Sequence, residues 1–188
     1  MQWYKTARQN QKTPKGNWNT WLVLAGRGWG KTRTGAQDIA FYGLTKPNTR
    51  IAIVTPTFGD ARDTCVEGVS GLLSCIDADL IDNWNRSIGE LKLKNGTIYK
   101  TFSAEQPDRL RGPQFHRAWC DELGSWRDPD TYDQLLFGLR LGEKPQCIIT
   151  TTPKPSELLK GLLNNKDIHI TRGSTFDNIK NLAESAVE

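Results

Sequence analysis

The sequence predicts an α/β fold with a mostly parallel central sheet flanked by helices, and three observations predict it. Short apolar runs of strand length alternate along the chain with segments of helical period, the pattern that builds parallel sheets through crossover helices. A glycine-rich turn joins the first apolar run to the first helical segment. Asn95-Gly96, set between two alternating segments, adds an antiparallel hairpin near 90–102. The 188 residues suffice for one domain with a real core.

Taken in order, residues 1–19 form a polar, irregular lead-in rich in Gln, Asn, Pro and Gly. Trp21-Leu-Val-Leu-Ala25 is the first buried strand. After the glycine turn, a helical pattern from Lys31 runs through Ala36, Ile39, Ala40 and Leu44 and stops near Pro47. Ile51-Ala-Ile-Val-Thr55 is a second buried strand, ended by Pro56, and a helix is expected over about 59–73. Glu90-Leu-Lys-Leu-Lys94 and Thr97-Ile-Tyr-Lys-Thr-Phe102 are the arms of the hairpin. Residues 106–114 read as a loop. Phe115 to Cys120 is strand-like, although His116 and Arg117 intrude, which places the start of that strand near the sheet end. A helix over about 129–139 has Pro129 near its first turn. Gln146-Cys-Ile-Ile-Thr150 is another buried strand, Pro155 opens a helix through Leu158, Leu159 and Leu162, and Ile168-His-Ile-Thr171 is the last strand.

Composition excludes several classes. A hydrophobic fraction of 37% with 24% charged residues suits a globular domain rather than a disordered chain. No apolar run approaches the roughly 18 residues of a membrane span, and Met-Gln-Trp-Tyr-Lys is no secretory signal, so no membrane partner and a cytoplasmic setting are expected. Cys65, Cys75, Cys120 and Cys147 form no CxxC pair and no zinc spacing, which fits a reducing compartment. The net charge of +4 permits contact with nucleic acid without demanding it.

Chemistry concentrates in three places. Ala25-Gly26-Arg27-Gly28-Trp29-Gly30-Lys31-Thr32 matches the phosphate-binding loop pattern G-x-x-x-x-G-K-[ST] except at Ala25, a position at the strand exit where a methyl is tolerated. Its glycines allow amide N–H groups to converge on an anion. The helix N-terminus adds positive potential, Lys31 reaches the β and γ phosphates, and the Thr32 hydroxyl can bind Mg²⁺. Arg27 reads either as a contact to the γ-phosphate or a neighbouring site, or as a solvated side chain. Some 90 residues on, the strand-like run ends in Asp121-Glu122. Asp121 would hold Mg²⁺ and Glu122 would act as general base on a water. Thr150-Thr-Thr-Pro153 ends the next buried strand; its hydroxyls either serve the attacking water or merely precede a proline stop.

Together these motifs resemble the ATPase domain of the large terminase subunit of tailed double-stranded DNA bacteriophages, closest to the type in phages related to HK97. The resemblance covers nearly the whole chain. It rests on Ala7-Arg-Gln-Asn-Gln11, Leu24 to Ala36, Thr55-Pro56, Val66-Glu-Gly68, Pro107-Asp-Arg-Leu-Arg-Gly-Pro-Gln114, Trp119-Cys-Asp-Glu122, Thr150-Thr-Thr-Pro153 and Thr171-Arg-Gly-Ser-Thr-Phe-Asp-Asn178. It implies an ASCE-type P-loop ATPase that uses ATP and Mg²⁺ to drive double-stranded DNA into a procapsid. The implied partners are the portal protein, the small terminase subunit and further copies of itself in a ring, in the host cytoplasm; the lone domain is expected to be a monomer. It further implies that Gln11 contacts adenine, that Arg111 (Arg109 second) is a finger into the adjacent subunit's site, and that Thr150, Thr151 and Thr152 couple hydrolysis to movement. Residues 176–188 would begin a linker to a nuclease domain that the chain lacks, so no DNA cleavage by it is expected. Two alternatives stand beside this reading: a P-loop helicase, which normally needs a second motor-like domain, and a nucleotide-gated DNA-binding module supported by the basic clusters Lys5-Arg8-Lys12-Lys15 and Arg109-Arg111-Arg117.

Overall fold

The computed structural model describes residues 2–175 and Asp177. The expected linker at 176–188 therefore lies, Asp177 aside, outside the described residues. The lead-in carries two short turns, α1 (Trp3–Thr6) and a 3₁₀ turn (Gln9–Gln11), in otherwise irregular chain. Then follow β1 (Thr20–Ala25), α2 (Lys31–Thr45), β2 (Arg50–Thr55) and the single turn α3 (Phe58–Asp60). The antiparallel set is β3 (Ile81–Asn85), β4 (Glu90–Leu93) and β5 (Ile98–Ser103). The chain continues through β6 (Arg117–Asp121), α4 (Asp130–Gly138), β7 (Gln146–Thr151), α5 (Glu157–Leu163) and β8 (His169–Gly173).

These strands form one sheet in the order β3-β4-β5-β2-β6-β7-β1-β8. From β5 to β8 every pairing is parallel, and only β3–β4 and β4–β5 are antiparallel. Because strand side chains alternate, each buried strand feeds two cores. Trp21, Val23, Ile51, Ile53, Trp119 and Ile148 face Ala36, Ile39 and Ala40 of α2. Leu22, Leu24, Ala52, Val54, Ala118, Cys120, Cys147 and Ile149 face Tyr132 and Leu135 of α4 and Leu159 and Leu162 of α5. Strand β7 lies between β6 and β1, so the glycine turn after β1 and the acidic pair after β6 open on the same edge of the sheet, one strand apart. This arrangement fits the ASCE-type fold that the resemblance implies, for which no strand order is legible in the sequence.

Close packing under the glycine turn depends on Gly35: a methyl there would overlap the Trp119 ring, so only glycine lets α2 lie this near the sheet. No helix among the described residues is long and apolar enough to cross a membrane.

Three expectations need correction, and one strand is not among those expected. The helix expected over 59–73 is instead α3, a π-helical turn (Ala61–Val66) closed by the Glu67 N–H to Arg62 O bond, and a 3₁₀ turn (Leu72–Ser74). Gly68 and Gly71 fold back against the carbonyls of Thr64 and Cys65, where a side chain would collide, so the helix cannot continue. The hairpin turn is a three-residue loop: Leu93 N–H bonds Thr97 O, Gly96 N–H bonds Leu93 O, and only Gly96 takes positive φ. Strand β3 has no clear signal in the sequence, because its alternation is broken by a register shift between Ile81 and Asn83. Arg117 opens β6, at the strand start as expected, but it does not join Arg109 and Arg111 in a basic surface cluster; it is 4% exposed. Its guanidinium donates twice to Asp38 (3.1 and 2.7 Å) and once to Gln146 Oε1, and lies over the rings of Trp18 and Tyr42.

Candidate functional site

The glycine turn is bracketed by rigid elements. Ala25 is the fully buried last residue of β1, and Lys31 the first of α2. Gly28 (φ 72°) and Gly30 (φ 101°) hold left-handed conformations that side chains disfavour. Trp29 does not face the cleft. Its ring is fully buried, packed on Gly173, covered by the Arg8 guanidinium at 5.1 Å, and its Nε1 donates to Asp177 Oδ2 at 3.2 Å. Arg8 also donates to Trp29 O. The tryptophan thus anchors the loop from beneath, a role its position in the motif did not signal.

Lys31 is 8% exposed and donates from Nζ to Gly26 O at 3.0 Å, curling over the loop. Burial lowers its pKa, while the charges of Glu122 and Asp121 oppose that shift. Gln11 is buried beside the loop. Its amide donates to Thr34 Oγ1 at 3.3 Å and accepts from Arg8 N at 3.3 Å, so the lead-in is tied to the first turn of α2.

Opposite the loop, Asp121 ends β6 and is 5% exposed. The Trp119 indole can only donate, and it does so to Thr150 Oγ1 at 2.8 Å; the Thr150 proton is then directed to Asp121 Oδ1 at 2.7 Å. The Cys65 thiol, from the π-helical turn, donates to Oδ2 at 3.5 Å. Burial pushes the Asp121 carboxyl up to about 6, against the pull of Thr150. Burial likewise keeps Cys65 a protonated thiol.

Glu122 follows in left-handed backbone (φ 48°, ψ 46°), unusual for a residue with a long side chain, and its N–H bonds Thr150 O at 2.7 Å. That kink turns its carboxylate away from Asp121's packing and into the cleft. Oε2 accepts from Thr152 Oγ1 at 3.2 Å and more weakly from Thr152 N at 3.5 Å.

A cleft of about 750 Å³ joins these parts, with Gly26, Arg27, Lys31 and Thr32 on one wall and Asp121, Glu122 and Thr152 on the other. An adjoining hollow of about 470 Å³ reaches Asp63, Gly68 and Val69. The expected Mg²⁺ ligands fit the group: Thr32 and Asp121 line one cleft, and Mg²⁺ bound to a nucleotide needs only one or two protein oxygens besides phosphates and waters. No cluster of three or more His, Cys, Asp or Glu suited to a metal occurs among the described residues.

The three threonines separate in role. Thr150 and Thr151 are fully buried; Thr151 Oγ1 donates to Thr152 O and accepts from Gly124 N at 3.1 Å. Of the three, Thr152 lines the cleft. Arg111 and Arg109 are not brought to the phosphate loop. Arg111 is exposed, pairs with Asp108 at 3.3 Å and Asp130 at 3.8 Å, and borders a separate hollow with Gln134 and Phe137. Arg109 is exposed on the 3₁₀ turn (Pro107–Leu110). The supporting contacts from Cys65, Trp119 and Arg8 have no signature in the sequence, since no spacing rule links residues brought together from separate elements.

A family model described as the terminase large subunit, T4-like-virus type, N-terminal, matches residues 22–179. Among solved structures, the large terminase ATPase domain of Thermus phage P74-26 superposes with a TM-score of 0.70 at 15% identity, covering 88% of this chain and 80% of that one. The large terminase of another thermophilic bacteriophage, in complex with ADP, gives a TM-score of 0.70 at 14% identity over 97% of this chain and 45% of that one. The HK97 bacteriophage large terminase gives 0.66 at 20% identity over 84% of this chain and 35% of that one. The chain thus spans less than half the length of these last two proteins. No curated protein matches it.

Proposed function

We propose a function for this chain, which belongs to the T4-like-virus-type large terminase subunits, N-terminal family: it is the ATPase motor domain that hydrolyses ATP to move double-stranded DNA into a viral procapsid. One observation carries the chemistry. Lys31 and Thr32 from the start of α2, directly after the glycine turn, and Asp121 and Glu122 from the end of β6, line a single cleft, and β7 lies between β1 and β6.

In this reading the amides of Gly26–Gly30 and the Lys31 ammonium hold the β and γ phosphates. Thr32 and Asp121 would hold Mg²⁺, which supplies charge neutralisation on those phosphates. A water in line with the γ-phosphate gives its proton to Glu122. Thr152 donates to Oε2 of that carboxylate, so the water's proton is assigned to Oε1. The new P–O bond forms as the bond to the ADP oxygen breaks, and Lys31 offsets the charge that develops. Gln11 is assigned to adenine, Arg27 to the γ-phosphate or its neighbourhood, and Arg111, with Arg109 second, to the site of an adjacent copy in a ring. Double-stranded DNA, the portal protein and the small terminase subunit are the partners, in the host cytoplasm. Residues 1–188 are assigned no DNA cleavage of their own, which incubation with plasmid and Mn²⁺ tests.

The test of the core reading is phosphate release from Mg·ATP with and without double-stranded DNA. Wild type should turn over and Lys31→Ala should not bind nucleotide; a wild type that binds no nucleotide sinks the reading.

A further inference from the structure

Directly after Thr152 and Pro153, Lys154 lines the same cleft as Gly26, Lys31 and Glu122. Its Nζ is seated by Ser125 Oγ at 2.7 Å, and Ser125 itself lines the cleft. The seat is built by two turns that leave neighbouring strands: 122–125 after β6 and 152–154 after β7. They pack tightly at Gly124, where an added Cβ would lie 3.4 Å from Lys154 Cβ, 3.0 Å from Thr151 Oγ1 and 3.5 Å from Thr152 O. Gly124 N–H donates to Thr151 Oγ1 at 3.1 Å, which fixes one turn against the other.

The charges of the cleft are unevenly placed. Lys31 comes from the phosphate loop, whereas the far wall carries Asp121 and Glu122 with Asp60 beside them. With Asp121 given to Mg²⁺, a γ-phosphate between these walls would still meet the Glu122 carboxylate on its outer side, with Asp60 beyond it. Within the described residues, Lys154 is the cation on that wall, and its neutral partner Ser125 does not consume its charge.

We propose that Lys154 is a second phosphate-contacting lysine, which leaves Ser125 to bind the γ-phosphate in cis and returns to it when phosphate departs. This rests on the reading that ATP occupies the cleft. Lys154 belongs to the same strand exit as Thr152, which holds Glu122. Engagement of the γ-phosphate therefore draws on the turn that orients the base. The link from nucleotide state to that turn needs no contact from another subunit.

The measurement is equilibrium binding of ATPγS and of ADP, each with Mg²⁺, to wild type and to Lys154→Ala, Lys154→Arg and Ser125→Ala. Loss of one charge-assisted hydrogen bond to the γ-phosphate should weaken ATPγS binding by about tenfold in Lys154→Ala. ADP binding should stay within about twofold, since ADP lacks the phosphate that the lysine contacts. Lys154→Arg should recover most of the difference. Ser125→Ala should leave ATPγS binding at wild-type strength or tighter, because only the nucleotide-free seat is lost. Equal loss for ATPγS and ADP, or no loss for either, overturns the proposal while leaving the cleft as the nucleotide site. A wild type that binds neither nucleotide overturns the reading beneath it as well.

Discussion

The hydroxyl of Thr150 donates to the carboxylate of Asp121 across 2.7 Å, and the same oxygen accepts the Trp119 indole proton. A fully buried threonine therefore sets the orientation of the carboxylate assigned to the metal, and its hydroxyl has no proton left to offer a water in the cleft.

Replacing Thr150 by Val keeps the shape and removes both bonds. The Trp119 N–H is then buried unpaired, and destabilisation of about 1–3 kcal/mol is expected in urea denaturation. The Mg²⁺ concentration needed for half-maximal ATP hydrolysis should rise, because Asp121 loses the donor that favours its charged form. Thr150→Ser should preserve both properties. A Val variant with unchanged stability and Mg²⁺ dependence contradicts the relay.

Asp121 has a pH signature in the absence of nucleotide and metal. Its folded pKa of about 6 lies above the value of about 3.9 in an unfolded chain. Below about pH 4 the carboxyl is protonated in both states and costs nothing. As pH rises toward 6 the unfolded chain releases its proton first, so the fold loses stability; above that the loss is complete, at most roughly 3 kcal/mol for two units. Asp121→Asn should thus be more stable than wild type at pH 8 and nearly equal to it at pH 4, while hydrolysing no ATP. An Asn variant less stable at pH 8 contradicts this account.

Glu122 combines a strained backbone with the proposed base. Glu122→Gln should retain ATP binding and lose at least about 100-fold in turnover, the usual contribution of a positioned general base. Among base-free variants, Glu122→Gly should be more stable than Glu122→Ala by about 1 kcal/mol, since only glycine takes the left-handed conformation without cost. Equal turnover by wild type and Glu122→Gln would remove the residue from its role.

The buried pair Arg117–Asp38 joins β6 to α2, and Thr13 in the lead-in donates to the same carboxylate at 2.7 Å. Asp38→Ala leaves a buried guanidinium uncompensated and should cost about 3–5 kcal/mol. Because Thr13 loses its acceptor too, amide exchange in residues 8–18 should speed up more than in β7. Uniform exchange changes across the domain would argue against that tie.

Arg111 is exposed and borders a hollow separate from the cleft of its own chain. Arg111→Ala should leave the monomer's stability and ADP binding at wild-type values. In the assembled motor its ATP turnover should fall by at least about tenfold, a conservative figure for a finger acting in trans. The finger assignment is falsified if the assembled variant is as active as wild type.

Local signals make much of this architecture legible. The apolar runs around Val23, Ile53 and Ile148 are readable as buried strands because both their faces are covered, and the loop at 25–32 because its spacing is a local geometric requirement. The irregular segment 58–75 is not, since its breaks come from Gly68 and Gly71 meeting carbonyls of the turn they fold onto. Arg117 misleads for a related reason: its intrusion does mark the start of β6, but its place in a basic cluster with Arg109 and Arg111 is undone by a partner, Asp38, that waits in another element.

The sequence by itself determined that a phosphate loop lies between a buried strand and a helix, that an acidic pair ends a later strand, and to which family the chain belongs. Each of these is written in neighbouring residues. Tertiary structure decided the rest. It buried Trp29 under the loop, gave Asp121 its partners Thr150 and Cys65, bent Glu122 toward Thr152, seated Lys154 on Ser125 and kept Arg111 away. Those relations join residues that meet only when strands are ordered β2-β6-β7-β1-β8, and strand order is set by how whole faces pack, not by any local pattern.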